Sequence, residues 1–314
     1  MTTNESRAYA AAHFMLELHG IDKDKLGTFR SIEGGGIKAD VMTYQNGGTY
    51  DRWRQLGKPK FEDIKLQCGM AMSEAFYLWI HDFFAGIATR KNGSIIAADF
   101  YYKERARREF ADAMIKELAF PKLDANDKNT TYMNVTLGVE DIVFKKGDES
   151  ALIQNAGFDQ QKAWKACNFR FALDGFADAC KRVTKIDSFT IKQNILEYAS
   201  GGRRSVAKVP SAIDFPQLSF YLPEADAQPL MDHFMKRAVK GEVPGRLNGQ
   251  IDTFDNAGPD SVGFSITLMN CDILNVAPDK SDATSEEIKN VKVDIYVESM
   301  SFKYTPKPVE TAAP

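Results

Sequence analysis

The sequence has few of the residues that most often carry chemistry. It contains four histidines and four cysteines among 314 residues, and none of them lies at the spacing of a zinc site or a Cys-x-x-Cys pair. It also lacks a Gly-x-Ser-x-Gly motif, a dinucleotide-binding glycine motif and a phosphate-binding loop. We therefore predict a protein that is not an enzyme and that binds no metal or cofactor.

Charge and hydrophobic runs exclude two further classes of partner. The formal net charge of −3 gives no electrostatic reason to bind nucleic acid or a membrane surface. No uninterrupted run of about 18 apolar residues is present, so we expect no membrane-spanning helix. The N-terminal stretch lacks the pattern of a signal peptide. We therefore expect cytoplasmic assembly, and cysteines that stay reduced.

One stretch of the first half of the chain returns, much altered, in the second half. Residues 31–70 correspond to residues 191–222. Each copy has an alternating strand, a Gly-Gly turn followed by arginines, a proline and a second alternating strand. The pairs that define the alignment are Ile37 with Ile191, Tyr44 with Tyr198, Phe61 with Phe215, and Leu66 with Phe220.

Each copy also contains one predicted helix. In the first copy, Ser73 is a suitable N-cap, and Phe76, Trp79, Ile80 and Phe83 fall on one helical face. In the second copy, residues 224–241 have the same apolar spacing and also end in a glycine.

Residues 99–118 present a conflict between local propensity and the repeat. The segment is rich in strong helix formers. Its counterpart, residues 254–272, contains Pro259 and two glycines, which exclude a helix. Because two copies of one fold share their elements, we predict a β-hairpin in both, with the first turn near residues 103–105.

The predicted fold class is mainly β, with one helix per repeat, in two tandem β-barrel or β-sandwich domains. The predicted boundaries are an N-terminal arm at 1–11, a first domain at 12–145, a linker at 146–166, a second domain at 167–304 and a flexible tail at 305–314.

Residues 45–59 form a predicted long loop whose aromatic and arginine content favours a contact surface. The alternative is a loop that folds back onto its own domain. The predicted assembly interface comprises Tyr50, Arg52, Trp53, Arg54, Leu56, Lys58 and Lys60 in the first copy, with Arg203 and Arg204 in the second.

The first copy resembles the tail tube proteins of contractile phage tails and phage-derived injection systems, roughly over residues 12–145. The resemblance rests on GGGIKADVMTYQNGG followed by RQLGKPKFEDIKLQCGM, on the helix with Trp79, and on the strand at 137–142. Two departures from the family pattern occur. Residues 112–115 replace an Asn-Ala-Trp-Pro-like stretch, and the second copy has RRSVAK at 203–208 in place of the Arg-x-Leu-x-Gly run.

The resemblance implies a β-barrel with a flanking helix, in which six copies close a ring and rings stack through the long loop into a tube. Since this chain carries two such copies, we predict that three chains form a ring, as a hub or adaptor between tube and baseplate. The expected partners are the chain itself and tube, spike and sheath or baseplate proteins. The alternatives are a duplicated major tube subunit that builds every ring, and a two-domain binding module that uses Trp53 and Tyr50.

Overall fold

Alternation of buried and exposed side chains governs the strands of this protein. In β5 (Ile64–Met72) and β15 (Leu218–Pro223) every second residue is buried, as expected of strands with one face on a core. The computed structural model describes residues 13–21, 26–45, 47–48, 50, 52–153, 164–201, 205–242, 245–255, 261–278 and 288–305. We call residues 13–153 the first half and residues 164–305 the second half.

The described part of the first half contains ten strands and one helix. In chain order they are β1 (His13–Leu18), β2 (Gly27–Gly34), β3 (Ile37–Gln45), β4 (Arg52–Phe61), β5, α1 (Glu74–Phe84), β6 (Lys91–Ala98), β7 (Glu104–Phe120), β8 (Leu123–Asp124), β9 (Met133–Gly138) and β10 (Asp141–Lys146).

The described part of the second half contains eight strands and two α-helices. They are β11 (Phe169–Leu173), α2 (Ala177–Cys180), β12 (Lys185–Ile186), β13 (Phe189–Tyr198), β14 (Ala207–Asp214), β15, α3 (Gln228–Phe234), β16 (Leu247–Phe254), β17 (Val262–Pro278) and β18 (Asn290–Tyr304). The predicted mainly β fold with few helices is confirmed.

The two halves have the same strand order. The first sheet runs β1-β6-β7-β9-β5-β2. The second runs β11-β16-β17-β18-β15-β12 and continues to β8 of the first half, and all neighbours are antiparallel. Each half also has a hairpin at the same place in the chain, β3–β4 and β13–β14. The order of elements therefore repeats from one half to the other.

Irregularities in the strands fall at corresponding positions. Asp112 in β7 and Asn270 in β17 both have positive φ, at 52° and 54°. The backbone N–H of each donates to an asparagine on the neighbouring strand, Asn92 at 2.8 Å and Asn248 at 3.2 Å. These bulges fix the register of the two sheets. We therefore align the two sheets at Asp112 and Asn270, and we call residues that share a position in this alignment corresponding residues.

The first helix begins and ends as its sequence predicts. The Ser73 hydroxyl accepts a hydrogen bond from the Phe76 N–H at 3.2 Å, and Gly86 follows the helix with a φ of 71°. In the second half, α3 is preceded by a 3₁₀ turn at Glu224–Asp226 and followed by a π turn at Met235–Val239. The preference for strand over helix at 99–118 is confirmed, since β7 covers residues 104–120 and pairs with β6. The turn lies at residues 99–103, before the predicted position at 103–105, because residues 104–105 already belong to β7.

The expectation for residues 45–59 is wrong. The predicted long loop is largely strand, since β4 begins at Arg52 and pairs with β3 in a hairpin. The stretch before it contains two strands, β2 and β3, which are separated at Gly35 and Gly36. Exposure of both faces of β3 and β4 hides the alternation that identifies other strands.

Buried side chains of both halves form one continuous cluster. It includes Leu66, Phe76 and Leu118 from the first half and Phe264 and Phe302 from the second. The two halves are therefore packed against each other through apolar side chains. The predicted arm, most of the predicted tail and the middle of the predicted linker lie outside the described residues.

Phe302 and its corresponding residue Phe144 provide a matched test of this packing. Phe302 is 1% exposed and Phe144 is 57% exposed. We expect Phe302→Ala to lower the free energy of unfolding by about 3–5 kcal/mol, because it leaves a cavity in the core. Phe144→Ala should change it by less than about 0.5 kcal/mol. Urea titration of the dilute chain measures both, and equal losses would contradict this packing.

Candidate assembly interface

The β3–β4 hairpin is a two-stranded sheet that stands apart from both large sheets among the described residues. Its register pairs Val41 with Leu56 and Tyr44 with Trp53. An isolated hairpin with exposed strand edges is a surface that readily pairs with other chains. The exposed large apolar side chains of the hairpin are Ile37, Val41, Met42, Tyr44, Trp53 and Leu56.

The structure places most of the predicted interface residues on one strand. Arg52, Trp53, Arg54, Leu56, Lys58 and Lys60 all lie on β4 and are exposed. Tyr50 lies just before β4 and is also exposed. Because side chains alternate along a strand, Trp53 lies on the opposite face of the hairpin from Arg54. Arg203 and Arg204 lie outside the described residues, and the interface role remains a prediction.

Lys60 also contributes to the hairpin itself. Its ammonium lies 2.7 Å from the Asp40 carboxylate in an exposed salt bridge. The hydrogen bond from Lys60, together with its positive charge, lowers the pKa of Asp40. Both groups are solvated, so this pair adds little to stability.

The corresponding hairpin of the second half, β13–β14, is joined to the sheet of the first half. Its strand β13 pairs antiparallel with the end of β7, with Ile191 opposite Leu118 and Lys192 opposite Glu117. The sheet of the first half is thereby extended by two strands from the second half. This strand addition satisfies backbone groups at an edge that would otherwise be open.

An ion pair of the first half binds the backbone of this docked hairpin. The Lys208 N–H donates to Glu140 Oε1 at 2.7 Å, and the Arg90 guanidinium donates to the Lys208 carbonyl oxygen. Arg90 and Glu140 also form a salt bridge with each other. The Lys208 ammonium lies 3.6 Å from Asp63. Because Arg90 and Glu140 bind the main chain, they recognise a strand at this place rather than a lysine.

Helix α1 of the first half packs on β18 of the second half. The ring of Tyr77 stacks on Tyr304 with a centroid distance of 4.1 Å, and Phe84 stacks on Phe302 at 5.6 Å. Together with the docked hairpin, this contact forms what we call the internal interface. In the internal interface the first half contributes the β7 edge and a helix, and the second half contributes a hairpin and β18.

Sequence reasoning missed Arg90 and Glu140. A signal for both was present, because Arg-x-Asn-Gly occurs at 90–93 and again at 246–249, and Val-Glu occurs at 139–140 and again at 297–298. The arginine and the glutamate of each pair are 50 and 52 residues apart in the chain, so only the fold shows that they meet.

The described residues include no group of histidine, cysteine, aspartate and glutamate side chains suited to a metal ion. Among the helices described, none has both the length and the apolar character needed to cross a membrane. The features that the described structure offers are strand edges, a hairpin and apolar surface, which suit contacts with other protein chains.

One part of the chain matches a known family of structural proteins. Residues 10–143 match the family model of the T4-like virus tail tube protein gp19. The resemblance stated from the sequence is thus confirmed for this part of the chain, which is tail tube-like and structural. Comparison with curated protein sequences gives no significant match.

Matches among solved structures include the following three, each of which covers less than half of this chain. A chain of the extended sheath–tube complex of the extracellular contractile injection system PVC is 18% identical, with a TM-score of 0.39, over 46% of this chain and 99% of that one. A chain of the anti-feeding prophage tube-terminating cap is 18% identical, with a TM-score of 0.36, and the match covers 43% of this chain and 89% of that one. Hcp1 from E. coli EAEC 042 is 15% identical, with a TM-score of 0.26, and the match covers 44% of this chain and 91% of that one.

Removing Glu140 tests the ion pair that binds the docked hairpin. Its side chain is 7% exposed, whereas that of the corresponding Glu298 is 41% exposed. We expect Glu140→Ala to lower the free energy of unfolding by about 3 kcal/mol, because it leaves the Lys208 N–H and the Arg90 charge without this acceptor. Glu298→Ala should cost less than about 1 kcal/mol. Chemical denaturation of the dilute chain distinguishes these outcomes, and a neutral Glu140→Ala would refute the role given to the pair.

Proposed function

We propose that the protein is a ring-forming structural component of a phage-tail-like contractile particle. In this proposal each half is one tube-like domain, and three chains supply six domains to a ring. The ring belongs to the inner tube or to the hub between tube and baseplate. Its partners are other copies of the chain and the tube, spike and sheath or baseplate proteins. Assembly takes place in the cytoplasm, and the product is part of the particle.

The internal interface is the observation that carries this proposal. It is heterologous, since the surface contributed by one half differs from the surface contributed by the other. Both halves have the same order of strands, and each has a hairpin and a helix. A heterologous contact repeated between chains closes a ring when its rotation permits. Because each chain supplies two domains, three chains supply the six domains of a sixfold arrangement.

Differences between the halves favour the hub over the tube body. Gly138 in the first half corresponds to Tyr296 in the second, and Lys116 corresponds to Leu274. A ring of alternating, unequal domains has threefold symmetry, which suits a position between a sixfold tube and a threefold spike. A duplicated major tube subunit that builds every ring is the second candidate, because the hairpins and sheets have equivalent register in both halves.

Native mass spectrometry of the purified chain tests the proposal. We expect a trimer of chains, because three two-domain chains complete six positions. A hexamer of chains without any trimer would refute this stoichiometry, and long polymers would favour the duplicated major tube subunit. A monomer at micromolar concentration would contradict ring formation and would favour a binding module that uses Trp53.

A further inference from the structure

We propose that the free edge of β17, together with Arg246 and Glu298, binds the β3–β4 hairpin of a second copy of this chain. The inference rests on the proposed function in one respect, which is that the chain associates with itself. Beyond self-association, the inference specifies which surfaces of the two copies meet, in which strand register, and through which residues.

The first observation is an unoccupied strand edge. Residues 275–278 of β17 correspond to residues 117–120 of β7, the segment that pairs with β13. Leu118 is buried there, whereas the corresponding Val276 is only half-buried. Among the described residues, this segment of β17 pairs with β18 on one side and with no strand on the other.

The second observation is an ion pair without a backbone partner among the described residues. Arg246 corresponds to Arg90 and Glu298 corresponds to Glu140, and Arg246 and Glu298 also bond to each other. Their side chains are 48% and 41% exposed, in contrast to 33% and 7% for the first pair. The second half therefore presents the same donor and acceptor that bind the backbone of Lys208 in the internal interface.

The register of the contact follows from the internal interface. Ile37 corresponds to Ile191, and Arg54 corresponds to Lys208, because the two hairpins have the same pairing and the same bulge. Ile37 of one chain then lies opposite Val276 of the next. The backbone of Arg54 lies against Arg246 and Glu298.

Side chains on the two sides of this contact change character together. In the internal interface Lys116 lines a cleft with Gln193, Ile195 and Glu197 of the docked hairpin. At the corresponding places the β17 surface has Leu274, and the β3–β4 hairpin has Ala39, Val41 and Thr43. The charges of Lys116 and Glu197 and the amide of Gln193 are thereby replaced by Leu274, Thr43 and Ala39, so both sides of the contact lose charge. Such a paired change is expected if the two surfaces meet.

Side-chain volumes also compensate. A Cβ atom on Gly138 would lie 3.2 Å from Ile195, so the absence of a side chain there admits the hairpin. Tyr296 occupies the corresponding place in the second half, where the approaching residues Ala39 and Val41 are smaller than Gln193 and Ile195. The larger side chain on one surface is matched by smaller ones on the other.

The helices supply a third contact of the same kind. Phe302 of the second half is covered by α1, and its corresponding residue Phe144 is exposed. The helix that corresponds to α1 is α3, and Met235 and Val239 beside it are also exposed. In the proposed contact α3 of one chain covers Phe144 of the next. The exposed apolar side chains of both surfaces are then buried at once.

Disulfide cross-linking tests the register. The double variant Ile37→Cys with Val276→Cys places two thiols directly opposite each other, within disulfide range. The background is Cys167→Ser, since Cys167 is half-buried. Burial raises the pKa of Cys68 and Cys271 to about 12 and that of Cys180 to about 11, so these thiols stay unreactive. On oxidation we expect a covalent oligomer of the same size as the native assembly.

Two controls accompany this experiment. Either cysteine alone should give no covalent oligomer, and Ala39→Cys with Val276→Cys should give at least tenfold less, because Ala39 lies diagonally across and out of range. If native mass spectrometry shows an oligomer but the direct pair does not cross-link, the contact is wrong and the ring proposal stands. If the chain is monomeric at every concentration, both fail.

Charge reversal tests the ion pair separately. We expect Glu298→Arg to raise the concentration at which the oligomer dissociates at least tenfold, because it removes the acceptor for the hairpin backbone and repels Arg246. Asp178→Arg, an equal charge change on the exposed helix α2, should have no effect. Mass photometry measures the concentration at which each variant dissociates. The same value for both variants would overturn the role of Arg246 and Glu298.

Discussion

The arrangement of this protein depends on the addition of β13 to the end of β7, which is accompanied by the pairing of β12 of the second half with β8 of the first. An open strand edge exposes backbone donors and acceptors that any other extended chain can satisfy. Here the edge is satisfied by a hairpin from the other half of the same chain. The shared core, the position of α1 over β18 and the contact of Lys208 with Arg90 and Glu140 all follow from this addition.

Recognition of the backbone explains how the two halves can diverge and still form equivalent contacts. Arg90 and Glu140 bond to the carbonyl and N–H of residue 208, and neither bond requires a lysine side chain. The corresponding Arg54 could therefore replace Lys208 without loss of these bonds. Specificity then comes from the flanking side chains, which differ between the halves in charge and in volume.

Much of the fold could be predicted from the sequence where local pattern and burial agree. Alternation identified β5 and β15, and helical spacing with Ser73 identified α1. The β6–β7 hairpin required the repeat, because residues 99–118 have helical propensity that pairing in the sheet overrides. The β3–β4 hairpin was missed because both of its faces are exposed, which removes the period-two signal. Arg90 and Glu140 were missed because they are 50 residues apart in the chain and only the fold brings them together.

The apolar surfaces left exposed on this chain have a thermodynamic use in association between chains. The two halves are covalently linked, so their contact forms at a high effective concentration and needs little intrinsic affinity. A contact between separate chains must also offset the loss of translational and rotational freedom. Apolar burial supplies that free energy most directly. Leu274, Val41 and Phe144 are apolar and exposed. Leu274 stands where the internal interface has Lys116, and Phe144 stands where it has Phe302 covered by α1. Apolar surface is thus concentrated where association between chains would require it.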